Sequence, residues 1–379
     1  MTREVFVDYQ STTPVDPQVL EAMLPYFTTM YGNPHSSEHR FGVRAQHAID
    51  QALEEIGLVV GASASEIVLT SGATESNNLA LRGALPARGK SRLISCVTEH
   101  SSVLNTLSSL REGGTSVTLL TVGDDGLIDL EALAASITAT TRIVSLMAVN
   151  SEIGVIQPFA DAGAICRDRG VLFHVDAAQA YGRIPIDVHR HHIDLLSISA
   201  HKIYGPKGIG ALFVNDRARR ALRPQITGGR QQGGLRAGTV PVPLAAGFAT
   251  AARLMTEAGA AELGRIAKLA EKLHQGLATK VGGVHLNGSA VQRYLGNLNL
   301  RIEGADADSL LLMLPEIAMS TGSACNSGTL EPSPVLTALG LSKEEASQCV
   351  RLGLGRMTTE EEINYVVERL AWAVGELRH

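Results

Sequence analysis

Seven short apolar runs punctuate the first two-thirds of the chain: "EIVLT", "RLISCVT", "SVTLLTV", "RIVSLMAV", "VLFHVDAA", "DLLSIS" and "GALFV", with helix-spaced stretches between most of them. Several lack polar alternation, as strands covered on both faces do. Alternating strands and helices predict an α/β fold with a mostly parallel sheet and helices on both faces. A helix is expected from about Thr74, after the polar turn that opens "SGATES". From about Pro243 to Lys280 the pattern becomes long, alanine-rich and helical. A second mixed segment follows and closes in "TTEEEINYVVERLAWAVGELRH", where Thr359 is the expected N-cap and acids fill the first turn. This predicts a large unit, a long helix leaving it, and a smaller C-terminal unit. No internal repeat, low-complexity tract or long linker interrupts the pattern.

A chain of 379 residues fits one large domain plus a smaller one and can bury a deep site. A net charge of −5 gives no general attraction to nucleic acid or anionic membrane, so neither is an expected partner. The opening "MTREVFVDYQ" has no long apolar stretch, and no later run approaches the roughly 20 residues of a membrane helix. A cytoplasmic protein is expected. Four cysteines without a CxxC pair suit a reducing compartment and argue against a disulfide framework or structural zinc, and no metal is expected.

In open α/β sheets ligands bind beyond the carboxyl ends of strands, so the polar residues there carry the chemistry. "SGATES" offers a glycine turn and a helix N-terminus, which suits a phosphate but is equally an ordinary capped helix. Asp176 ends a buried run, where a carboxylate needs a cationic or hydrogen-bonding partner. Lys202 stands at the same kind of position, where desolvation lowers an amine pKa. Taken together, a phosphate cradle, a strand-end aspartate and a strand-end lysine are the three fixings of pyridoxal 5′-phosphate. A Rossmann G-x-G-x-x-G and a Walker A motif are both absent after the first strand.

"DYQSTTPVDP", "GNPHSSEHRFG", "VLTSGATESNNLA", "TEHSSVL", "VNSEIGVIQP", "HVDAAQAYGRIPID", "SAHKIYGPKGIGAL", "GGLRAGTVPV", "STGSACNSGTLEPSPVL" and "VRLGLGR" run in order from Asp8 to Arg356. The series closely resembles the cysteine desulfurases of the NifS/IscS type. That resemblance implies the fold-type I aminotransferase architecture, with a seven-stranded sheet in the large domain and an α+β small domain. It implies an N-terminal arm over residues 1–12, a cofactor domain over 13–257 and a small domain over 258–379. It also implies a homodimer that moves sulfur from L-cysteine onto an enzyme cysteine and leaves L-alanine, the acceptor being a further protein. Iron–sulfur assembly, transfer-RNA thiolation and DNA phosphorothioation are all served by such enzymes.

By the same resemblance Lys202 is the Schiff-base lysine and α-proton carrier, and Asp176 holds the pyridine nitrogen. His100 stacks on the ring and exchanges protons with substrate, while Gln179 bonds the ring oxygen. Ala73, Thr74, Ser199 and His201 hold the phosphate, joined by Thr239 from the other subunit. Arg351 grips the substrate carboxylate, its planar fork making two parallel hydrogen bonds. Cys325, among small polar neighbours, is the sulfur acceptor, whereas Cys96, Cys166 and Cys349, the last placed before the arginine strand, read as inert buried thiols. Three departures stand out: Ser151 replaces a common asparagine before "EIG", Ala200 replaces a common glycine, and the sequence ends at His379 without the longer tail of some members. The competing readings are a small-substrate aminotransferase of the same fold, in which Cys325 is incidental, and a non-catalytic scaffold.

Overall fold

The computed structural model describes residues 3–86, 89–321 and 332–379. Twelve strands are formed in chain order: β1 (Val5–Phe6), β2 (Ile67–Thr70), β3 (Arg92–Cys96), β4 (Ser116–Leu120), β5 (Thr141–Met147), β6 (Leu172–Asp176), β7 (Leu195–Ser199), β8 (Gly210–Val214), β9 (Val284–Leu286), β10 (Asn297–Ile302), β11 (Ile317–Ala318) and β12 (Cys349–Gly353). The seven apolar runs become β2 to β8, a single sheet in the order β2-β8-β7-β6-β5-β3-β4. Every strand of it is parallel to its neighbour except β8, which runs antiparallel to both β2 and β7. Strands β6, β7 and β8 are buried at every position, which is why their sequences show no alternation. At the edge, β4 is exposed or half-buried until Leu120.

A three-stranded antiparallel sheet, β12-β10-β9, and a parallel pair, β1-β11, form the second unit. Val5 and Val7 from the N-terminal arm pack in its core with Leu300, Val350 and Leu370, while Tyr9 two residues on belongs to the core of the large sheet. Each such fully buried aliphatic side chain contributes about 1.5–3 kcal/mol. The arm therefore spans both units within five residues.

The long helix forms over Val242–Val281, with non-helical backbone at Gly259 (φ 48°, ψ −144°). Only glycine adopts that conformation without strain. Before the break, Phe248, Ala252 and Met255 pack on the large core; after it, Ile266, Leu273 and Leu277 pack on the small one. The last helix, Glu360–Leu377, starts at Thr359 in a reciprocal capping box with Glu362, as its sequence predicts. Arg356 fastens the units where they meet, bonding Asp16 at 2.8 Å and Glu262 at 2.7 Å, with its guanidinium 4.4 Å from the centre of the Tyr204 ring.

Cys96, Cys166 and Cys349 are buried free thiols. Burial pushes them up to about 11, 12 and 11, so they stay protonated at neutral pH. Cys349 opens β12 rather than preceding it, because the strand's pairing with β10 begins at Arg301 opposite that cysteine. Cys325 lies outside the described residues.

Candidate cofactor site

A cavity of about 530 Å³ opens beyond the carboxyl ends of the parallel strands. Its walls collect Ala73 and Thr74 after β2, His100 after β3, Asp176 and Gln179 from β6 onward, and Ser199, His201 and Lys202 from β7 onward. Arg351 reaches the same cavity from the middle of β12 in the small sheet. Nine of the residues singled out in the sequence thus share one space. Thr239 is exposed and does not line it.

The turn before the helix Ala73–Gly83 depends on Gly72, whose φ of 151° a side chain would not adopt. A Cβ on Gly210 would come within 2.7 Å of Gly72 Cα, so β8 starts in direct backbone contact with this turn. The first turn of this helix presents at the cavity the kind of backbone N–H groups that suit an anion.

Asp176 is buried, and its Oδ1 accepts from the Ala178 N–H at 2.9 Å while Oδ2 accepts from the Asn77 amide at 2.7 Å. Both donors are neutral. Among the described residues no lysine, arginine or histidine forms an ion pair with it. Glu99 lies close enough that burial and the Asp176 charge together hold its carboxyl well above the usual range. Its Oε1 accepts from the Met147 N–H at 2.6 Å.

Burial draws the Lys202 ammonium down from 10.5 to about 7, with Arg183 and Arg351 adding to the shift. Its Nζ donates to the carbonyls of Gln10 at 2.5 Å and Ser11 at 2.8 Å. Arg183 braces the same corner, donating to Gln179 Oε1 at 2.7 Å and to the Lys202 carbonyl at 2.6 Å. His201 is drawn down to about 4 by burial and then by the charges of Lys202, Lys207 and Arg183, so it is neutral; its Nδ1 lies 3.1 Å from Thr12 Oγ1.

Arg351 is buried, donates to the Ser151 carbonyl at 3.0 Å and pairs with Asp8 at 2.7 Å. Its Nε has no partner among the described residues. Ser151, which replaces a common asparagine of the family, thus meets the arginine through its backbone. Asp8, Asn77 and Ser102 were not singled out in the sequence. Asn77 had one available signal: it lies one turn beyond Ala73, on the face that carries the buried Leu81 and Ala80 inward.

Pyridoxal phosphate fits this constellation on the structure's own terms. A buried carboxylate without a cation awaits a protonated ring nitrogen, an amine near neutrality awaits an aldehyde, and a glycine turn at a helix N-terminus awaits a phosphate.

The family described as "Aminotransferase class-V" matches residues 5–366 of this chain. A protein named "Cysteine desulfurase IscS" from Rickettsia bellii (strain OSU 85-389) is 48% identical over 376 residues, covering 99% of this chain and 92% of that protein. Its counterpart of the same name from Rickettsia typhi (strain ATCC VR-144 / Wilmington) is 47% identical over 380 residues, covering 100% and 93%. Among solved structures, a "NifS-like protein" superposes with a TM-score of 0.92 at 33% identity, covering 98% of this chain and all of that one. Another, "SspA in complex with cysteine", has a TM-score of 0.84 at 37% identity, covering 94% and 100%. With the fold, the cavity and full-length similarity in agreement, the chain belongs to the class-V aminotransferases, pyridoxal-phosphate enzymes, and within them to the cysteine desulfurases.

Proposed function

We propose that this chain releases sulfur from L-cysteine as L-alanine and an enzyme-bound persulfide, with the residues of the described cavity in the roles that follow. The observation that carries the reading is the meeting of Lys202, Asp176 and Arg351 in one cavity: an amine near neutrality and, among the described residues, a carboxylate without an ion-pair partner and a buried guanidinium whose Nε has no acceptor. When bound, pyridoxal phosphate supplies an aldehyde for the amino group and a cationic ring that draws electrons from the substrate's α-carbon. Asp176, steadied by Asn77, would keep that ring nitrogen protonated. The helix beginning at Ala73 and Thr74, with Ser199 and His201, would hold the phosphate, and Gln179 would bond the ring oxygen. Arg351 takes the substrate carboxylate beside Asp8. Lys202 accepts the α-proton at Nζ and returns it to the product, a task for which a pKa of about 7 leaves both forms populated.

The sulfur step belongs to Cys325. Its thiolate attacks the substrate sulfur, a new S–S bond forms, and the C–S electron pair stays with the carbon that becomes the alanine methyl after protonation. The three buried thiols are too basic to compete. A homodimer completes the site through Thr239, which is exposed and does not line its own chain's cavity. A cytoplasmic setting, where thiols stay reduced, and onward transfer to a protein acceptor belong to the same proposal. So does the division into an arm over 1–12, a cofactor domain over 13–257 and a small domain over 258–379, supported by the break at Gly259.

The test is alanine and persulfide formation from cysteine by the pure protein. Cys325→Ser is expected to bind cysteine and shift the visible spectrum without forming persulfide, while Cys96→Ser, Cys166→Ser and Cys349→Ser stay active. An active Cys325→Ser beside a dead variant of another cysteine would identify a different nucleophile.

A further inference from the structure

His100 begins the helix Ser101–Glu112 as its N-cap, and its ring opens onto the cavity. Its Nδ1 accepts the backbone N–H of Ser102 at 3.1 Å. An amide N–H only donates, so a proton on Nδ1 would set two N–H groups against each other. The Ser102 hydroxyl lies 2.9 Å from the same nitrogen. Which of these two atoms donates follows from the next residue in the chain of contacts. The Asn77 amide nitrogen gives one hydrogen to Asp176 Oδ2 at 2.7 Å and the other to Ser102 Oγ at 2.8 Å. Asp176, an ionised acceptor, requires the NH₂ end of Asn77 to face it. That orientation is held even though it leaves Asn77 Oδ1 buried without a partner among the described residues. Ser102 Oγ accepts from Asn77 and keeps its own O–H, and Nδ1, bare because it already accepts the Ser102 backbone N–H, is the acceptor beside it. The direction of every bond is then fixed, from the Asp176 carboxylate outward to the His100 ring.

We propose that Ser102, oriented by Asn77 on Asp176, is a positioning residue that pins His100 as the neutral Nε2–H tautomer. Two donors meet at Nδ1, and the ring's only N–H is on Nε2, the nitrogen not engaged with the helix. His100 then offers the cavity a stacking face and a fixed N–H donor. It has no lone pair free to accept a proton there, and protonation at Nδ1 would break the bond from the Ser102 N–H, reverse the one with the Ser102 hydroxyl and uncap the helix. The resemblance assigns His100 a share in proton exchange; the hydrogen-bond directions leave that duty to Lys202 alone.

The charged groups facing the ring are Asp176, which favours the imidazolium, and Lys202, which opposes it; the carboxyl of Glu99, next in the chain, is held well above the usual range by burial and the Asp176 charge. Burial outweighs the Asp176 charge, and His100 sits below the ordinary histidine value. The tautomer stands on this chain's hydrogen bonds, and its bearing on proton transfer rests on the reaction proposed above.

The experiment is nitrogen-15 NMR of the full-length protein with labelled histidine, with and without pyridoxal phosphate. The spectrum of His100→Gln identifies the signal among the twelve histidines. Wild type is expected to show a protonated Nε2 and a bare Nδ1 in both states. Ser102→Ala removes one of the two donors, so its His100 is expected to titrate higher by about half to one pH unit, the effect of one hydrogen bond of ordinary strength. Ser102→Thr keeps the hydroxyl and is expected to restore the wild-type titration. A wild-type Nδ1–H form, or a Ser102→Ala titration identical to wild type, would overturn the proposal. A protein that shows the stated tautomer yet releases no alanine from cysteine would overturn the reaction and leave the tautomer standing.

Discussion

Lys202→Met in the cofactor-free protein isolates the cost of keeping an amine ready. The substitution nearly conserves volume and removes the charge. Lowering the ammonium from 10.5 to about 7 means that the folded protein disfavours its charged form, and at about 1.4 kcal/mol per pH unit the ceiling on that cost is roughly 5 kcal/mol. Two carbonyl hydrogen bonds, to Gln10 and Ser11, are lost with the amine and take back about 1 kcal/mol each. Cavity water screens the charge and reduces the figure further. The variant is therefore expected to be more stable than wild type by about 1–3 kcal/mol at pH 6.5. The sign of the pH dependence follows from proton counts. Between about pH 7 and 10.5 the unfolded chain holds this proton and the folded one does not, so wild-type stability rises with pH and the variant's advantage shrinks across that window. Urea denaturation of both proteins at several pH values from 6.5 to 10 measures it. An advantage that stays constant over the range would refute the electrostatic reasoning, and a less stable variant at pH 6.5 would show that the carbonyl bonds outweigh burial.

Arg351→Lys keeps the charge and loses the fork, so kcat/KM for cysteine is expected to fall about tenfold or more while the cofactor stays bound; unchanged kinetics would remove Arg351 from substrate binding. Mixing inactive Thr239→Val with inactive Lys202→Ala homodimers is expected to restore activity, because one site of the heterodimer receives both lesions and the other receives neither. Proven subunit exchange without recovery would return Thr239 to its own chain.

The strands of the large sheet were legible because burial on both faces writes an uninterrupted apolar run, and all seven runs became strands. Direction along the sheet is not written that way, so the reversal of β8 had no periodic signature. The break at Gly259 was equally silent, since the alanine-rich spacing continues through it. In the small unit, β9 is half-buried or exposed at all three positions and gives too weak a pattern to read. Lys202 and Asp176 announced themselves as polar residues ending apolar runs. Asn77 and Ser102 did not, because what distinguishes them is contact with residues 99 and 25 positions away. The Asp8 partner of Arg351, 343 positions distant, is the extreme case.

The reversed strand β8 makes one piece of two loops that the sequence keeps far apart. It leaves the Lys202 turn by pairing with β7, enters against Gly72 and pairs with β2, so backbone hydrogen bonds and a glycine-to-glycine contact join both ends of the cavity floor. The spacing between the anion cradle and the amine is therefore a dimension of the sheet, set like the gap of a caliper whose jaws share one frame. Side-chain changes around the rim alter how tightly a guest is gripped. Which of its atoms faces Lys202 is decided by the frame.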